Sequence, residues 1–309
     1  MSEANLLMNW IMKKIFICLT VLSMALGIYA EECPVYMLKL YENAPAESNG
    51  YVPADEYTLS NGCIYQISVP RMDVYLPRNI EKPLGLVLVI PGGGYEYVTA
   101  YGEGSQVADY LVPRGYAVAV LKYRMPNRHQ NVPLADALQA MRILRARQAA
   151  WQMPDAPIGV MGFSAGGHLA ASLLTHYADE LTRPDYGILF YPVISMDASL
   201  THMGSRNNLL GDSPTDEQVT YWSCHQQVTA NTPPCLILAS QDDAVVPVAN
   251  SSLFHQALQT NNVPSQILIV STGGHGWGIT GQVAERERVN ETMLSFLRAQ
   301  NTQNTQNTH

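Results

Sequence analysis

Residues 158–174 read IGVMGFSAGGHLAASLL. An apolar run ends in a serine set between glycines, and small residues at helical spacing follow. The run has the character of a strand buried on both faces of a sheet. The segment after it reads as a helix, so the chain must turn from strand to helix within one or two residues. Such a turn brings neighbouring backbones too close for side chains, which is why Gly162 and Gly166 flank Ser164 in the pattern G-x-S-x-G. The serine is then forced into a tight conformation above the sheet edge. It stands at a helix N-terminus, where free N–H groups and the helix dipole favour developing negative charge.

Outward from this segment the same alternation repeats. Residues 83–90, 115–123, 157–163, 186–193, 234–240 and 265–271 are short β-branched runs, each expected to be buried on both faces. Helical patterns are predicted between them at roughly 103–112, 133–151, 165–178, 247–260 and 282–299. In the second of these, Leu134, Leu138, Met141 and Leu144 share a face, with Arg142, Arg145 and Arg147 largely off it. Residues 35–42 and 64–77 alternate apolar and polar, as antiparallel edge strands do. The prediction is an α/β fold: a doubly wound, mostly parallel sheet with N-terminal antiparallel edge strands and helices on both faces.

Composition narrows the function. The chain of 309 residues is 47% hydrophobic and 14% charged, too apolar for a disordered protein and long enough for a sizeable core. A formal charge of −8 argues against nucleic acid or an anionic membrane surface as the main partner. Met12-Lys13-Lys14, the apolar run to Ile28 and the small residue Ala30 form a secretory signal pattern, so residues 1–30 are expected to be an N-terminal extension and signal peptide. The apolar run is too short for a stable membrane span. Export would place the mature protein in the periplasm or outside the cell. Residues 31–299 are expected to form one domain and the polar repeat 300–309 a disordered tail. Cys33, Cys63, Cys224 and Cys235 have no metal-ligand spacing, and are expected as buried thiols or one structural bridge. Cys33 lacks the small preceding residue that lipid attachment requires.

A serine hydroxyl needs a base to become a nucleophile. In this topology the order along the chain is serine, acid, histidine, with acid and histidine on loops after late strands. Of eight histidines, only His275, in STGGHGWG, follows a late buried strand. His168 is read as a helix residue packed near the serine. After the strand 234–240 come Asp242 and Asp243. The D-x-x-V-P spacing, with Pro247 opening the next helix, favours Asp243 as the orienting acid and leaves Asp242 as a neighbour that caps the loop. An oxyanion needs N–H donors fixed in advance. VIPGGGY, residues 89–95, follows the first central strand, so one donor is expected from Gly93 or Gly94 and the other from Ala165, next to the serine. Tyr95, Tyr123 and Trp277 are the expected substrate contacts, with Tyr97 and Tyr101 nearby. Aromatic rings there suit either a sugar or an aryl group, and the alternative that Tyr123 and Trp277 only wall the pocket stays open. Arg124 and Arg206 are read as structural pairs ahead of substrate contacts. This chemistry needs no metal and no organic cofactor.

With DVYLP, IPGGGY, LKYRMP, PLADALQAMRILRAR, GVMGFSAGGHLA, FYPVIS, THMGSRNNLLG, DDAVVPVANS and GGHGWG in hand, the chain resembles the α/β-hydrolase superfamily. More narrowly it is similar to secreted bacterial acetyl xylan esterases and bifunctional feruloyl and acetyl xylan esterases. The matching stretches run from about residue 73 to 278. The serine turn and the glycine loop are superfamily-wide, whereas LKYRMP and THMGSRNNLLG are more distinctive. The resemblance implies Ser164 as nucleophile, His275 as base, Asp243 as orienting acid, and Gly93, Gly94 and Ala165 around the oxyanion. It also implies acetylated or feruloylated xylan, or its oligosaccharides, as substrate. Two readings stand beside it: a short-chain carboxylesterase acting on non-glycan esters, and a non-catalytic glycan-binding protein, which an intact triad argues against.

Overall fold

The five runs GLVLVI, YAVAVLK, IGVMGF, YGILF and CLILAS are almost wholly buried, and they form the centre of the sheet. A computed structural model describes residues 35–306 apart from 79 and 81. The expected signal segment and Cys33 lie outside the described residues. The strands are β1 (Val35–Lys39), β2 (Tyr57–Thr58), β3 (Cys63–Tyr65), β4 (Arg71–Tyr75), β5 (Gly85–Ile90), β6 (Tyr97–Thr99), β7 (Tyr116–Lys122), β8 (Ile158–Phe163), β9 (Tyr186–Phe190), β10 (Cys235–Ser240) and β11 (Ser265–Val270). Eight of them make one sheet in the order β1-β4-β7-β5-β8-β9-β10-β11. From β7 to β11 neighbours pair in parallel, while β1, β4 and β7 pair antiparallel at one edge. This is the predicted doubly wound arrangement with antiparallel edge strands.

The helices are α1 (Gln106–Leu111), α2 (Val132–Arg147), α3 (Ser164–His176), α4 (Met203–Leu210), α5 (Asp216–Trp222), α6 (Ala249–Thr260) and α7 (Arg286–Gln306). A π-turn over Tyr101–Ser105 leads into α1. On α2, Leu134, Met141 and Leu144 are buried as the pattern predicts, and so is Asp136. That carboxylate takes the Nε and Nη2 groups of Arg124 and the Arg124 backbone N–H, all within 3.1 Å. Both side chains are essentially inaccessible, so Arg124 is a structural pair. Arg206 likewise donates to the Met196 carbonyl.

Four details depart from the sequence reading. Residues 64–77 do not form one edge strand, because Gln66 takes a left-handed turn and Pro70 offers no N–H donor. Their first part, β3, joins β2 and β6 in a separate three-stranded sheet. Strand β11 is not buried on both faces: it is the outer strand, with Gln266 and Ile269 turned to solvent. Helices α4 and α5 fall in a stretch where no helix was expected. Finally, α7 continues to Gln306, past residue 299, and Asn301 donates to the Tyr116 hydroxyl. Extending an established helix costs far less than nucleating one, so a polar repeat can follow on.

Cys63, Cys224 and Cys235 are buried free thiols, and burial pushes the Cys224 thiol up to about 12. No helix among the described residues is long and apolar enough to cross a membrane.

Candidate active site

The loops at the C-terminal ends of β5, β8, β10 and β11 converge at one end of the sheet, where doubly wound folds hold their ligands. Ser164 leaves β8 with φ 53°, a left-handed conformation that a side chain adopts at a cost. The reason is the crowding inferred from the sequence. A Cβ at position 162 would lie 2.4 Å from the Gly166 carbonyl oxygen, and one at 166 would lie 2.2 Å from that of Ile90. Only glycine lets β5, β8 and α3 approach this closely.

His275, on the loop after β11, sits with Nε2 2.8 Å from Ser164 Oγ and Nδ1 2.7 Å from Asp243 Oδ2. Because a carboxylate accepts, Nδ1 carries the imidazole proton and Nε2 is left to accept from the serine. The other oxygen of Asp243 accepts from the backbone N–H groups of Val245 and Val246. Asp242 faces away from the imidazole. Its Oδ1 accepts from Gly273 and Gly274 N–H and braces the loop that carries His275. Of the two aspartates, Asp243 is thus the one in contact with the imidazole, and Asp242 contacts only the loop backbone. Arg286 adds a second brace from α7, donating to the carbonyls of Trp277, Gly278 and Gly281.

The glycine loop is held by its other polar groups. Thr99 binds the Gly92 carbonyl through backbone N–H and hydroxyl, and the Gly93 carbonyl accepts from Glu96 and Tyr97 N–H. The Gly92 N–H is occupied by Glu103 Oε2 at 2.8 Å. The N–H groups of Gly93 and Gly94 have no partner among the described residues, and that of Ala165 lies in the first turn of α3, where no intrahelical acceptor exists. All three predicted donors are thus available beside Ser164. Gly93 and Gly94, with Ser164 and His275, border a cleft of 470 Å³ that also takes in Tyr97, Glu103, His202 and Trp277, while Ala165 is buried behind Ser164.

Of the predicted substrate contacts, Trp277 lines this cleft, with its indole N–H on Ser240 Oγ. Tyr95 and Tyr123, expected as substrate contacts, do not line it. Both are buried, Tyr95 with its hydroxyl on His168 Nδ1 and Tyr123 with its hydroxyl on the Pro91 carbonyl. They support the glycine loop from beneath. Each phenol found a polar partner in the core, so neither ring turned outward.

Three neighbours were not foreseen. Glu103 is buried, and its Oε1 accepts from the Tyr191 hydroxyl, which in turn accepts from Gly278 N–H. A single carboxylate thus ties the glycine loop to the His275 loop. Burial raises its pKa against the opposing pull of the Gly92 N–H, the Tyr191 hydroxyl and His275. The Tyr191 ring packs 4.7 Å from the His275 ring. His202 accepts the Ser205 N–H at Nδ1, capping α4, so its Nε2–H is free to donate at the cleft wall. The signal for Glu103 was an acid set between glycines in YGEGS, one short strand beyond the glycine loop.

Residues 72–258 match the family model described as BD-FAE. An acetylxylan esterase of Xylanibacter ruminicola is 36% identical over 213 residues, 67% of this chain and 44% of that protein. An endo-1,4-beta-xylanase B of Butyrivibrio fibrisolvens is 38% identical over 224 residues, 67% of this chain and 34% of that protein. The chain therefore spans less than half the length of these two relatives. Among solved structures, an acetyl ester-xyloside bifunctional hydrolase from Caldicellulosiruptor lactoaceticus superposes with a TM-score of 0.73 at 33% identity, over 87% of this chain and 99% of that one. A carboxylesterase from Lactobacillus plantarum, at 21% identity and a TM-score of 0.67 over 86% of this chain and 98% of that one, shares the fold. The chain is a member of the BD-FAE family, built on the α/β-hydrolase fold.

Proposed function

We propose that this chain is an exported serine carboxylesterase that removes acetyl groups from xylan or xylo-oligosaccharides, with feruloyl esters as a second acyl class. The observation that carries the chemistry is the unbroken relay from Asp243 Oδ2 through His275 to Ser164 Oγ, with contacts of 2.7 and 2.8 Å. As Ser164 attacks the ester carbonyl, its proton passes to His275 Nε2. Asp243 holds the tautomer and stabilises the imidazolium. The carbonyl oxygen, now negative, is received by the N–H groups of Gly93 or Gly94 and Ala165. On collapse, His275 returns the proton to the departing sugar oxygen. Water, deprotonated by the same imidazole, then attacks the acyl-serine, and the acid leaves.

The acetyl and xylan assignments rest on the similar proteins, whose names include an acetylxylan esterase and an acetyl ester-xyloside hydrolase. Glycosidic cleavage, suggested by the xylanase relative, would use two carboxylates flanking the bond. The relay offers a serine and a histidine instead. Export rests on the pattern from Met12 to Ala30.

The test is release of acetate and ferulate from acetylated xylo-oligosaccharides and feruloylated arabinoxylan fragments, against p-nitrophenyl acetate, with Ser164→Ala as control. Acetate release from the glycan, reduced about 10⁴-fold or more in the variant, is the expected result. Turnover of the aryl acetate alone would keep the serine chemistry and discard the glycan, leaving a short-chain carboxylesterase. Full activity in the variant would remove Ser164 from the mechanism.

A further inference from the structure

A second concavity, of 430 Å³, opens beside the catalytic cleft, and Glu96 lines both. One wall is the small sheet. In its register Tyr57 pairs with Tyr65 and Tyr65 with Tyr97, so three tyrosines form a row across β2, β3 and β6. On the opposite face Ile64 and Val98 enter the core, which commits the row to the outer face. The rings are in contact, with centroids 4.9 Å and 4.8 Å apart, and Tyr57 is 46% exposed. Their three hydroxyls have no hydrogen-bond partner among the described residues. The row ends at Tyr97, in the wall of the serine cleft.

The facing wall comes from the two segments that stand out as distinctive in the sequence. Asn127 and Arg128 follow LKYRMP, while Asn207, Asn208 and Asp212 belong to THMGSRNNLLG and the residue after it. The segments are joined by the Arg128 N–H on the Asn208 carbonyl and by the Arg128–Asp212 pair. Asn208 also donates to the Gly94 carbonyl, so this wall is fixed directly to the proposed oxyanion loop. Rings, free phenol hydroxyls and amides side by side are poor partners for a lipid chain or an apolar peptide. They suit a molecule with C–H faces and a rim of hydroxyl groups, which is the surface of a pyranose. Arg128 is the one basic group in the lining, paired at the surface with Asp212, and with Glu96 beside them the acids outnumber it, so the groove's charge does not favour an anionic ligand.

We infer that the tyrosine row Tyr57–Tyr65–Tyr97 and the facing Asn127–Arg128 and Asn207–Asp212 segments form a subsite for a neutral glycan chain. It holds the sugar backbone while the ester borne on that backbone enters the serine cleft. This deepens the proposed function and rests on it for the direction of the chain, since the groove meets the cleft where Tyr97 and Glu96 stand. The exposed aromatic row for a sugar thus lies on a sheet apart from the hydrolase core, with the buried Tyr95 reaching only the floor of the groove and Tyr123 absent from its lining.

The test uses the full chain, Tyr57→Ala/Tyr65→Ala, and Tyr57→Trp as a variant that keeps a ring. Xylohexaose, which bears no ester, is titrated calorimetrically into each in the Ser164→Ala background. In the Ser164 proteins, kcat/KM is compared on acetylated xylo-oligosaccharides and p-nitrophenyl acetate. The double variant is expected to bind xylohexaose about tenfold more weakly, and its kcat/KM on the glycan to fall about tenfold further than on the aryl ester. Tyr57→Trp should retain both. Unchanged thermal midpoints exclude unfolding as the cause. Equal losses on both substrates, or xylohexaose affinity within about twofold of the parent, overturn the subsite. A larger loss on the aryl ester than on the glycan also overturns it, in favour of an aryl slot. Tyrosine-dependent xylohexaose binding without any acetate release would uphold the subsite while the proposed esterase function fails.

Discussion

His168 gives a sharp prediction about acid stability. The ring is fully buried on α3, four residues beyond Ser164, with Nε2 2.8 Å from the Trp222 carbonyl and Nδ1 2.7 Å from the Tyr95 hydroxyl. A carbonyl only accepts, so Nε2 holds the proton and Nδ1 accepts from the phenol. Adding a second proton would set N–H against O–H in a fully buried site with no carboxylate partner among the described residues. Burial accordingly pulls its pKa from 6.5 down to about 4, with the Trp222 carbonyl opposing. In the unfolded chain the same ring titrates near 6.5. Its contribution to stability is therefore complete above 6.5 and is lost as pH falls toward the folded value. That difference amounts to about 3 kcal/mol. At about 2–4 °C per kcal/mol for a chain of this size, it corresponds to roughly 6–12 °C in Tm. His168→Gln keeps a donor for Trp222 and cannot titrate. It should be less stable than wild type near neutrality, and the gap should narrow by about 3 kcal/mol between about pH 7.5 and about pH 4. Urea unfolding at a series of pH values measures it, with the difference between the proteins cancelling every other titrating group. Parallel stability curves would refute the reasoning.

Other sites give their own expectations. Asp243→Ala should lower kcat by about 10⁴-fold, and Asp242→Ala, which only releases the Gly273 and Gly274 N–H groups, by no more than about 10²-fold. The reverse order in steady-state assays would exchange their roles. Asp136→Ala leaves the Arg124 guanidinium buried without its partner and should cost about 3–5 kcal/mol. Calorimetry should then show Tm lower by roughly 6–20 °C, while kcat per folded molecule is retained. Glu103 has its pKa raised by burial, so its contribution to stability is complete below 4.5 and is lost as pH rises through its folded value. Glu103→Gln should remove that slope, which unfolding at a series of pH values from 4.5 upward would reveal, and should lower kcat by loosening the glycine loop.

What was legible in the sequence was whatever backbone sterics write locally. Gly162 and Gly166 are required by atoms within a few residues or on the adjacent strand, so the strand-to-helix turn could be read from seventeen letters. The order of Ser164, Asp243 and His275 follows from the winding of the sheet, and continuous apolar runs gave that winding. Tyr95 and Tyr123 were misread because a tyrosine beside a glycine loop can turn either way. The deciding partners, His168 and the Pro91 carbonyl, belong to other parts of the fold. The small sheet was invisible for a different reason: strands of two and three residues are too short to show alternation. Glu103 was hidden in a π-turn, and its partners at Gly92, Tyr191 and through it Gly278 are contributed by three separate loops.

The left-handed backbone at Ser164 has a wider meaning. A residue with a Cβ gives up roughly 1–2 kcal/mol to stand at φ 53°, whereas glycine would occupy the same place without that penalty. A lineage screened for foldedness alone would drift toward glycine at 164, and toward greater thermal endurance with it. Position 164 is thus a point where durability and reactivity pull in opposite directions. Under the proposed mechanism, the side chain at 164 is held against its own conformational preference for the sake of the hydroxyl it carries.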